Sequence, residues 1–276
     1  MGCRDVPLAG NSGILVLMND EVIAHGIDQN KAMKKQMLDR HRPAFDVWLR
    51  LAQPMEEAVV KERTLNSAFA RALDLLFIEA FKSHQSLYPL CVMGHGEDAA
   101  TIARRLFEIA LQVGYLSSEK RRREERGGAF LAYFWHNAKG VIAAIDLPED
   151  RRKWWEEQYD RHKKWLAFDR NGEPKRYWFG SNFKQLAKDL GCEAAYSQDY
   201  HFLSLIAHCS SRGLLLDKIK DRIQIKTDRL VREILVYGTR YALWVSANWN
   251  EHFALIDATT LEKIRDDTIN FDFKCG

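Results

Sequence analysis

The chain has 276 residues, which is enough for one large domain or two modest ones. Hydrophobic residues make up 46% of it and charged residues 29%, a globular composition that excludes both a wholly disordered chain and a fibrous repeat. Lys and Arg number 41 against 38 Asp and Glu, so the formal net charge is only +3. That charge is too small to indicate a polyanionic partner by itself, and any basic binding surface must be local.

The N-terminal segment and the cysteines predict a protein of the reducing cytoplasm. The apolar run 14–18 is short and lacks a small-residue cleavage site, which makes it a poor signal peptide. No apolar stretch approaches the roughly 18 residues that a membrane span requires. The five Cys residues are scattered and form no Cys-x-x-Cys pair, so we expect neither a disulfide framework nor a cysteine-rich zinc site.

Apolar residues recur with helical spacing almost throughout the chain, which predicts an all-α fold whose helices begin or end at the prolines. In chain order, the predicted helices are residues 28–42, 43–54, 55–86, 99–116, 129–145, 148–167, 181–190, 194–211 and 227–249. Ser181 and Thr227 are suitable N-caps for two of them. The simplest division is a helical N-terminal extension over residues 1–54, followed by one bundle-like main domain over residues 55–276.

One face of the predicted helix 194–211 carries uncharged polar groups where a solvent-facing helix usually carries Lys and Glu. At about 100° per residue, the side chains of this face are Tyr196, Tyr200, His201, Ser204 and His208. Ser204 and His208 are four residues apart, so a hydroxyl and an imidazole can touch, which is the minimum for base-assisted chemistry. Two interpretations stay open: a polar cleft that takes a ligand, and a buried structural network.

We expect neither a metal nor a cofactor. His201 and His208 are seven residues apart, about 10 Å along the helix axis, whereas two ligands of one ion favour a spacing nearer four residues. The chain also has no Walker lysine motif and no His-Glu-x-x-His helix. These absences argue against hydrolysis of nucleoside triphosphates and against zinc proteolysis.

Several short motifs resemble a known bacterial family. The pattern Tyr-x3-Tyr-x3-Ser-x3-His over residues 196–208 follows Trp178 and the run Ser-Asn-Phe-Lys-Gln-Leu-Ala at 181–187. Together with the runs at 69–73 and 103–108, these motifs resemble the family catalogued as domain of unknown function 5677. The resemblance implies an all-α fold and a bacterial or phage-related source. It implies no reaction.

The resemblance adds Arg104 and Glu108, which match the family's Arg-x3-Glu motif. On a helical wheel both lie away from the apolar stripe of the predicted helix 99–116, so one interpretation is an exposed ion pair worth a few tenths of a kcal/mol. The other is that this polar face meets the face of residues 196–208. One cleft would then hold Arg104 to bind a phosphate and His208 to move a proton, a set suited to phosphodiester chemistry.

Basic and aromatic residues alternate between residues 151 and 178. This segment has nine basic and five acidic residues and holds four of the eight Trp residues. Cations beside stacking rings favour the binding of RNA or another single-stranded nucleic acid. An amphipathic helix with Trp side chains in the core is the alternative. The candidate substrate-binding residues are Arg152, Lys153, Trp178, Tyr196, Tyr200 and His201.

These observations support three hypotheses. The first is a metal-independent hydrolase of a nucleic-acid or nucleotide phosphodiester, acting as an effector in bacterial antiviral defence. Its candidate catalytic residues are Arg104, Glu108, Ser204 and His208. The second is a non-catalytic binding or regulatory module that assembles with a protein or nucleic-acid partner. The third is an assembly component or homo-oligomer whose helix 227–249 packs against another chain. No membrane partner is expected.

Overall fold

The structure is a computed structural model that describes residues 20–145, 147–207, 218–219, 222–223, 228 and 230–273. It confirms the prediction of an all-α fold. The N-terminal helices are α1 (Asp20–Arg40), α2 (Arg42–Val59), α3 (Ala68–Val92), α4 (Gly96–Ser118), α5 (Arg123–Ala144) and α6 (Glu149–His162). The C-terminal helices are α7 (Phe183–Asp189), α8 (Glu193–Ala195), α9 (His201–Ala207), α10 (Val231–Phe253) and α11 (Ala258–Phe273).

Short elements complete the described part of the chain. A π-helical turn, Tyr196–Tyr200, joins α8 to α9. Two antiparallel strands, β1 (Lys218–Ile219) and β2 (Arg222–Ile223), pair with each other. None of the helices within the described residues has the length and apolar character needed to cross a bilayer.

The core lies where α3, α4 and α10 pack against one another. Phe77 of α3 stacks on Trp249 of α10 with ring centroids 4.1 Å apart. Phe107 of α4 meets Tyr241 of α10 edge to face at 4.9 Å. Because each large apolar side chain contributes about 1.5–3 kcal/mol when it is fully buried, this three-helix contact is the main source of stability.

Pro54 and Pro89 lie inside helices, although the sequence predicts helix ends at both. α2 continues to Val59 and α3 to Val92. A proline in a helix interior costs roughly 3 kcal/mol. The fully buried Leu51 and Met55 flank Pro54, and their burial in the core offsets this cost. The predicted boundary between the N-terminal extension and the main domain, at residue 54, falls within a single helix of the core.

The start of α5 packs closely against the start of α3. α5 begins six residues before the predicted position, so Gly127 lies inside it. A Cβ atom on Gly127 would lie only 2.5 Å from the backbone nitrogen of Phe69. One turn earlier, the Glu124 carboxylate accepts hydrogen bonds from the backbone N–H groups of Ala68 (2.8 Å) and Phe69 (3.1 Å). The N-cap of α3 is Ser67, whose hydroxyl oxygen accepts from the Ala70 N–H at 3.0 Å, and α5 thus satisfies two further N–H groups at the start of its neighbour.

The cap of α7 differs from the prediction by one residue. Asn182, and not Ser181, is the N-cap, and its side-chain oxygen accepts a hydrogen bond of 2.9 Å from the backbone N–H of Gln185. An amide oxygen at this position satisfies one of the unpaired N–H groups of the first turn. Thr227, the other predicted cap, lies outside the described residues, and α10 begins at Val231.

A neutral histidine is sealed into the core between α2, α3 and α10. His84 is fully buried, its Nε2 atom lies 3.3 Å from the Thr239 hydroxyl, and its ring stacks on Trp48 at 5.3 Å. Burial lowers the pKa of His84 from 6.5 to about 3. The imidazole is therefore uncharged in the folded protein at neutral and mildly acidic pH.

The substitution Gly127→Ala tests the contact between α3 and α5. We expect it to lower the free energy of unfolding by about 1–3 kcal/mol, because the new methyl group must push the backbone of α3 aside. Chemical denaturation measures the change. Helix propensity alone predicts a stabilisation of about 0.5–1 kcal/mol, so a stabilised variant would contradict the contact.

The buried imidazole also predicts a pH dependence of stability. Since the unfolded chain binds a proton at His84 with a pKa near 6.5 and the folded chain does not, the free energy of unfolding falls as the pH drops below 6.5. At pH 5.5 we expect a loss of about 1.4 kcal/mol from this group relative to pH 8. Burial also lowers the pKa of His41 and His252, which adds to the loss.

Urea unfolding at the two pH values measures this dependence, and His84→Gln is the comparison. The variant is less stable at neutral pH but has a smaller pH slope. An unchanged slope in the variant would show that His84 is not the source.

Candidate functional site

The predicted helix 194–211 contains a π-helical turn. α8 leads into the turn at Tyr196–Tyr200, and α9 follows it to Ala207. The rings of Tyr196 and Tyr200 stack with centroids 4.7 Å apart and an interplanar angle of 20°. A π-helical turn holds one residue more than an α-helical turn and changes the register of the side chains beyond it. Such turns occur often at functional sites, so this region is the natural place to look for one.

Three predicted site residues meet at this turn. The Arg104 guanidinium donates from Nη2 to the Tyr200 hydroxyl (2.9 Å) and from Nε to Glu108 Oε1 (3.3 Å). The Tyr200 hydroxyl in turn donates to Glu108 Oε1 at 2.9 Å. The guanidinium carbon also lies 5.0 Å from the centre of the Tyr200 ring. We call Arg104, Glu108 and Tyr200 the Arg104 cluster.

The Arg104 cluster is half-buried at the contact between α4 and the π-helical turn. The side chains of Arg104 and Glu108 are 24% and 26% exposed. They are therefore not the exposed ion pair that one interpretation of the sequence predicts. Instead, Arg104 and Glu108 of α4 contact Tyr200, which is one residue of the predicted polar face 196–208.

The electrostatics of the cluster keep its phenol protonated and its guanidinium charged. Burial, followed by the neighbouring Glu108 carboxylate, raises the pKa of Tyr200 from 10 to about 12. Burial alone would lower the pKa of Arg104, but the bonds to Tyr200 and Glu108 outweigh it and the pKa is raised. At neutral pH, the cluster thus presents a fixed cation, a neutral O–H donor and a carboxylate.

A second polar group anchors the other side of the π-helical turn. The carboxylate of Asp199 is buried, accepts a short hydrogen bond from the Tyr241 hydroxyl and lies 3.4 Å from Arg240 Nη1. Burial, together with this carboxylate, strongly raises the pKa of Tyr241. Sequence reasoning did not place Tyr241 or Arg240 at the site. The sequence feature that could have indicated these partners is Asp199, a single carboxylate well inside an otherwise uncharged predicted helix.

The other predicted residues of this helix are not joined to the Arg104 cluster. His201 is exposed. Ser204 is half-buried, and its hydroxyl oxygen has neither solvent access nor a hydrogen-bond partner within the described residues. His208, its expected partner, lies outside the described residues. The part of the predicted catalytic set that the structure assembles is therefore Arg104 with Glu108, joined by Tyr200.

Trp178 does not fit its predicted role in substrate binding. Its side chain is buried, and its indole N–H donates to the Gln112 side-chain oxygen at 2.8 Å. The rings of Tyr115 and Phe130 pack against it with centroids 5.3 Å and 5.5 Å away. A buried indole needs an acceptor for its N–H, and α4 supplies one, which makes Trp178 a core residue.

Arg152 and Lys153 lie on a different part of the molecule. Both are exposed on α6, which packs against α5, whereas the Arg104 cluster lies between α4 and the π-helical turn. The structure therefore separates the predicted basic surface from the predicted catalytic residues. Within the described part of the chain, no three His, Cys, Asp or Glu side chains converge as metal ligands.

Comparison with known proteins places this architecture in a family. The family model described as "Family of unknown function (DUF5677)" matches residues 71–223, more than half of the chain. The chain belongs to this family. The matched region runs from α3 to β2 and includes every residue of the Arg104 cluster. No curated protein and no solved structure matches the chain.

The substitution Asp199→Asn tests the anchor of the π-helical turn. We expect it to lower the free energy of unfolding by about 1–3 kcal/mol, because Tyr241 and Arg240 lose a buried charged acceptor. The matched control is Asp189→Asn at the exposed end of α7, where the carboxylate accepts a hydrogen bond from Gln185 in the same helix. Equal effects of the two substitutions, measured by urea unfolding, would show that the buried contact has no special importance.

Proposed function

We propose that the Arg104 cluster is the centre of a metal-independent phosphodiester hydrolase that acts on RNA. The observation that carries the proposal is the set of mutual hydrogen bonds among a guanidinium, a carboxylate and a phenol at a half-buried position. These three groups can bind a phosphate, accept a proton and donate a hydrogen bond without a metal ion.

Each group has a defined role in this proposal. Arg104 binds a non-bridging phosphoryl oxygen with charge-assisted hydrogen bonds. Tyr200 keeps its proton because its pKa is about 12, and its single O–H turns from Glu108 to the same phosphoryl group as negative charge develops there. Glu108 accepts a proton as general base.

The chemical step is an internal transfer in RNA. The ribose 2′-hydroxyl loses its proton to Glu108 as its oxygen forms a bond to phosphorus, and the bond from phosphorus to the 5′-oxygen breaks. The products are a 2′,3′-cyclic phosphate and a 5′-hydroxyl. The departing 5′-oxygen takes up a proton, and we propose His208 as the proton donor. His201, which is exposed on α9, is proposed to contact the substrate. Ser204 has no role in this step, because its hydroxyl oxygen has no access to solvent.

The setting that we propose is the bacterial cytoplasm, where the enzyme serves as an antiviral effector. The scattered, unpaired pattern of the cysteines supports a reducing compartment. An RNA-cleaving effector is toxic to its host when active, so growth on induction is a direct cellular readout.

A non-catalytic binding or regulatory module is the second candidate. The observation that favours it is that the Tyr200 hydroxyl both accepts and donates within the cluster and so ties α4 to the π-helical turn. In this case the cluster is a structural brace, and the function lies in assembly with a protein, with nucleic acid or with a second copy of the chain.

Conservative substitutions at the Arg104 cluster distinguish the two candidates. We expect Glu108→Gln and Arg104→Lys to lower the rate of RNA cleavage by about 10²-fold or more in the presence of EDTA, because the base or the bidentate anion contact is lost. The melting temperature changes by only a few degrees. The measurement is cleavage of an end-labelled single-stranded RNA, with growth inhibition on induction as the cellular readout.

Arg105→Lys is the matched control, since Arg105 neighbours Arg104 on α4 but is exposed and pairs with Glu79. It should cleave at the wild-type rate. Full activity in both cluster variants would refute the catalytic assignment. A wild-type protein that cleaves no RNA, with variants that are merely less stable, would favour the structural brace.

A further inference from the structure

Helix α6 has an unusual aromatic surface. It packs against α5, yet none of its 14 side chains is fully buried. Trp155 and Tyr159 are half-buried, and Trp154 is 46% exposed. Large aromatic rings on a helix surface normally enter a core or contact a partner. The amphipathic-helix interpretation of this segment, with its Trp side chains in the core, therefore does not hold for α6.

A cavity of about 570 Å³ opens between α5 and α6 beside these rings. Trp135 of α5 and Trp155 and Tyr159 of α6 form its aromatic wall. Trp135 and Trp155 meet edge to face with centroids 4.7 Å apart, so their positions are fixed by each other. The volume lies within the range of about 300–1,000 Å³ that is usual for sites that bind small molecules.

Basic side chains line the same cavity. Lys139, Arg152 and Lys163 contribute three cations, against two carboxylates from Glu156 and Asp160. Lys163 Nζ lies 2.9 Å from Asp160 Oδ1, so these two charges offset each other and leave Lys139 and Arg152 against Glu156. A negatively charged ligand therefore meets a net positive wall, whereas a cationic ligand is repelled.

We infer that this cavity binds a nucleotide, with its base stacked on the indole rings and its phosphate held by Lys139 and Arg152. Aromatic rings and cations in one cavity are complementary to a ligand that is both flat and negatively charged. Binding of phosphate alone would require the cations but not the aromatic rings, whereas a stacked base requires both. The nucleotide is either free or part of a single-stranded nucleic acid. The inference does not depend on hydrolysis at Arg104.

Paired tryptophan variants provide the main test. Trp155→Ala removes a wall of the cavity. Trp154 is more exposed and does not line the cavity, but its ring packs on Trp135 and Trp155, so the control is Trp154→Phe, which keeps a ring there. We expect Trp155→Ala to weaken nucleotide binding about tenfold or more, since one stacking contact is worth about 1–3 kcal/mol. Trp154→Phe should change the dissociation constant by less than about twofold.

The probes are adenosine monophosphate and inorganic phosphate, measured by calorimetry, and a labelled single-stranded RNA, measured by fluorescence anisotropy, all with the full chain. Binding of the mononucleotide identifies a free nucleotide as a sufficient ligand, and binding of the RNA alone identifies the strand. Either result supports the inference. Three results would overturn the inference. The first is that inorganic phosphate binds as tightly as the mononucleotide, and the second is that neither nucleotide probe binds. The third is that the two Trp variants lose equal amounts of binding affinity.

The charges give an independent check that does not alter the rings. Arg152→Gln should weaken RNA binding and reduce the slope of log Kd against log salt by about 1, while Arg151→Gln, outside the cavity, should not. Glu156→Gln should tighten binding, because it removes a carboxylate beside the phosphate. If Trp155→Ala fails to fold, as judged by circular dichroism, these variants decide.

The hydrolase proposal is tested separately in the same assays. A wild-type protein that binds RNA through the cavity but does not cleave it would refute the hydrolase proposal alone. If Trp155→Ala and Arg152→Gln both bind and cleave RNA as the wild-type protein does, the nucleotide-binding cavity would be refuted and the hydrolase proposal would not be affected.

Discussion

The polar contacts on both sides of the π-helical turn are the constraint that organises this molecule. Two consecutive residues, Asp199 and Tyr200, bond to different helices, Asp199 to α10 and Tyr200 to α4. A buried carboxylate without partners costs several kcal/mol, so Asp199 restricts how the turn can be placed against α10. When Asp199 fixes the π-helical turn against α10, the Tyr200 hydroxyl lies within hydrogen-bond distance of both Arg104 and Glu108.

The apolar core makes this arrangement rigid. α4 and α10, which hold the two ends of the polar contacts, also pack against α3 and against each other. Phe107 illustrates the coupling, because its ring contacts Tyr200 at 5.3 Å on one side and Tyr241 at 4.9 Å on the other. A guanidinium and a carboxylate held by such a scaffold are oriented before any ligand arrives, which is the condition for electrostatic catalysis and for selective anion binding.

Four tryptophans of the chain differ in burial and in the partner of the indole N–H. Trp249 donates to Asp74 at 3.2 Å and Trp178 donates to Gln112 at 2.8 Å, and both are buried. Trp154 and Trp155 lie instead on a helix that has one main packing neighbour, α5. The segment 151–178, rich in Trp, Lys and Arg, thus contributes a core residue, Trp178, at one end and partly exposed indoles, Trp154 and Trp155, at the other. This division places the proposed nucleotide cavity apart from the Arg104 cluster.

Helical periodicity was sufficient to predict the all-α fold and the approximate position of most helices, because each amphipathic stripe is a local pattern. The Arg-x3-Glu and Tyr-x3-Tyr motifs likewise identified the residues that the structure brings together as the Arg104 cluster. The positions of helix ends were less predictable. Pro54 and Gly127 both favour a helix end when only the local sequence is considered. In the folded chain α2 continues past Pro54 and α5 begins before Gly127, because the residues around them are buried.

Contacts between distant segments could not be predicted in this way. The partnership of Asp199 with Tyr241, the burial of Trp178 against Gln112 and the cavity between α5 and α6 join residues that periodicity treats independently. Sequence by itself determined which side chains are available and which face of each helix is apolar, because these depend on neighbours three or four positions away. Tertiary structure alone decided which polar faces meet and which rings stay accessible, because those depend on how whole helices pack.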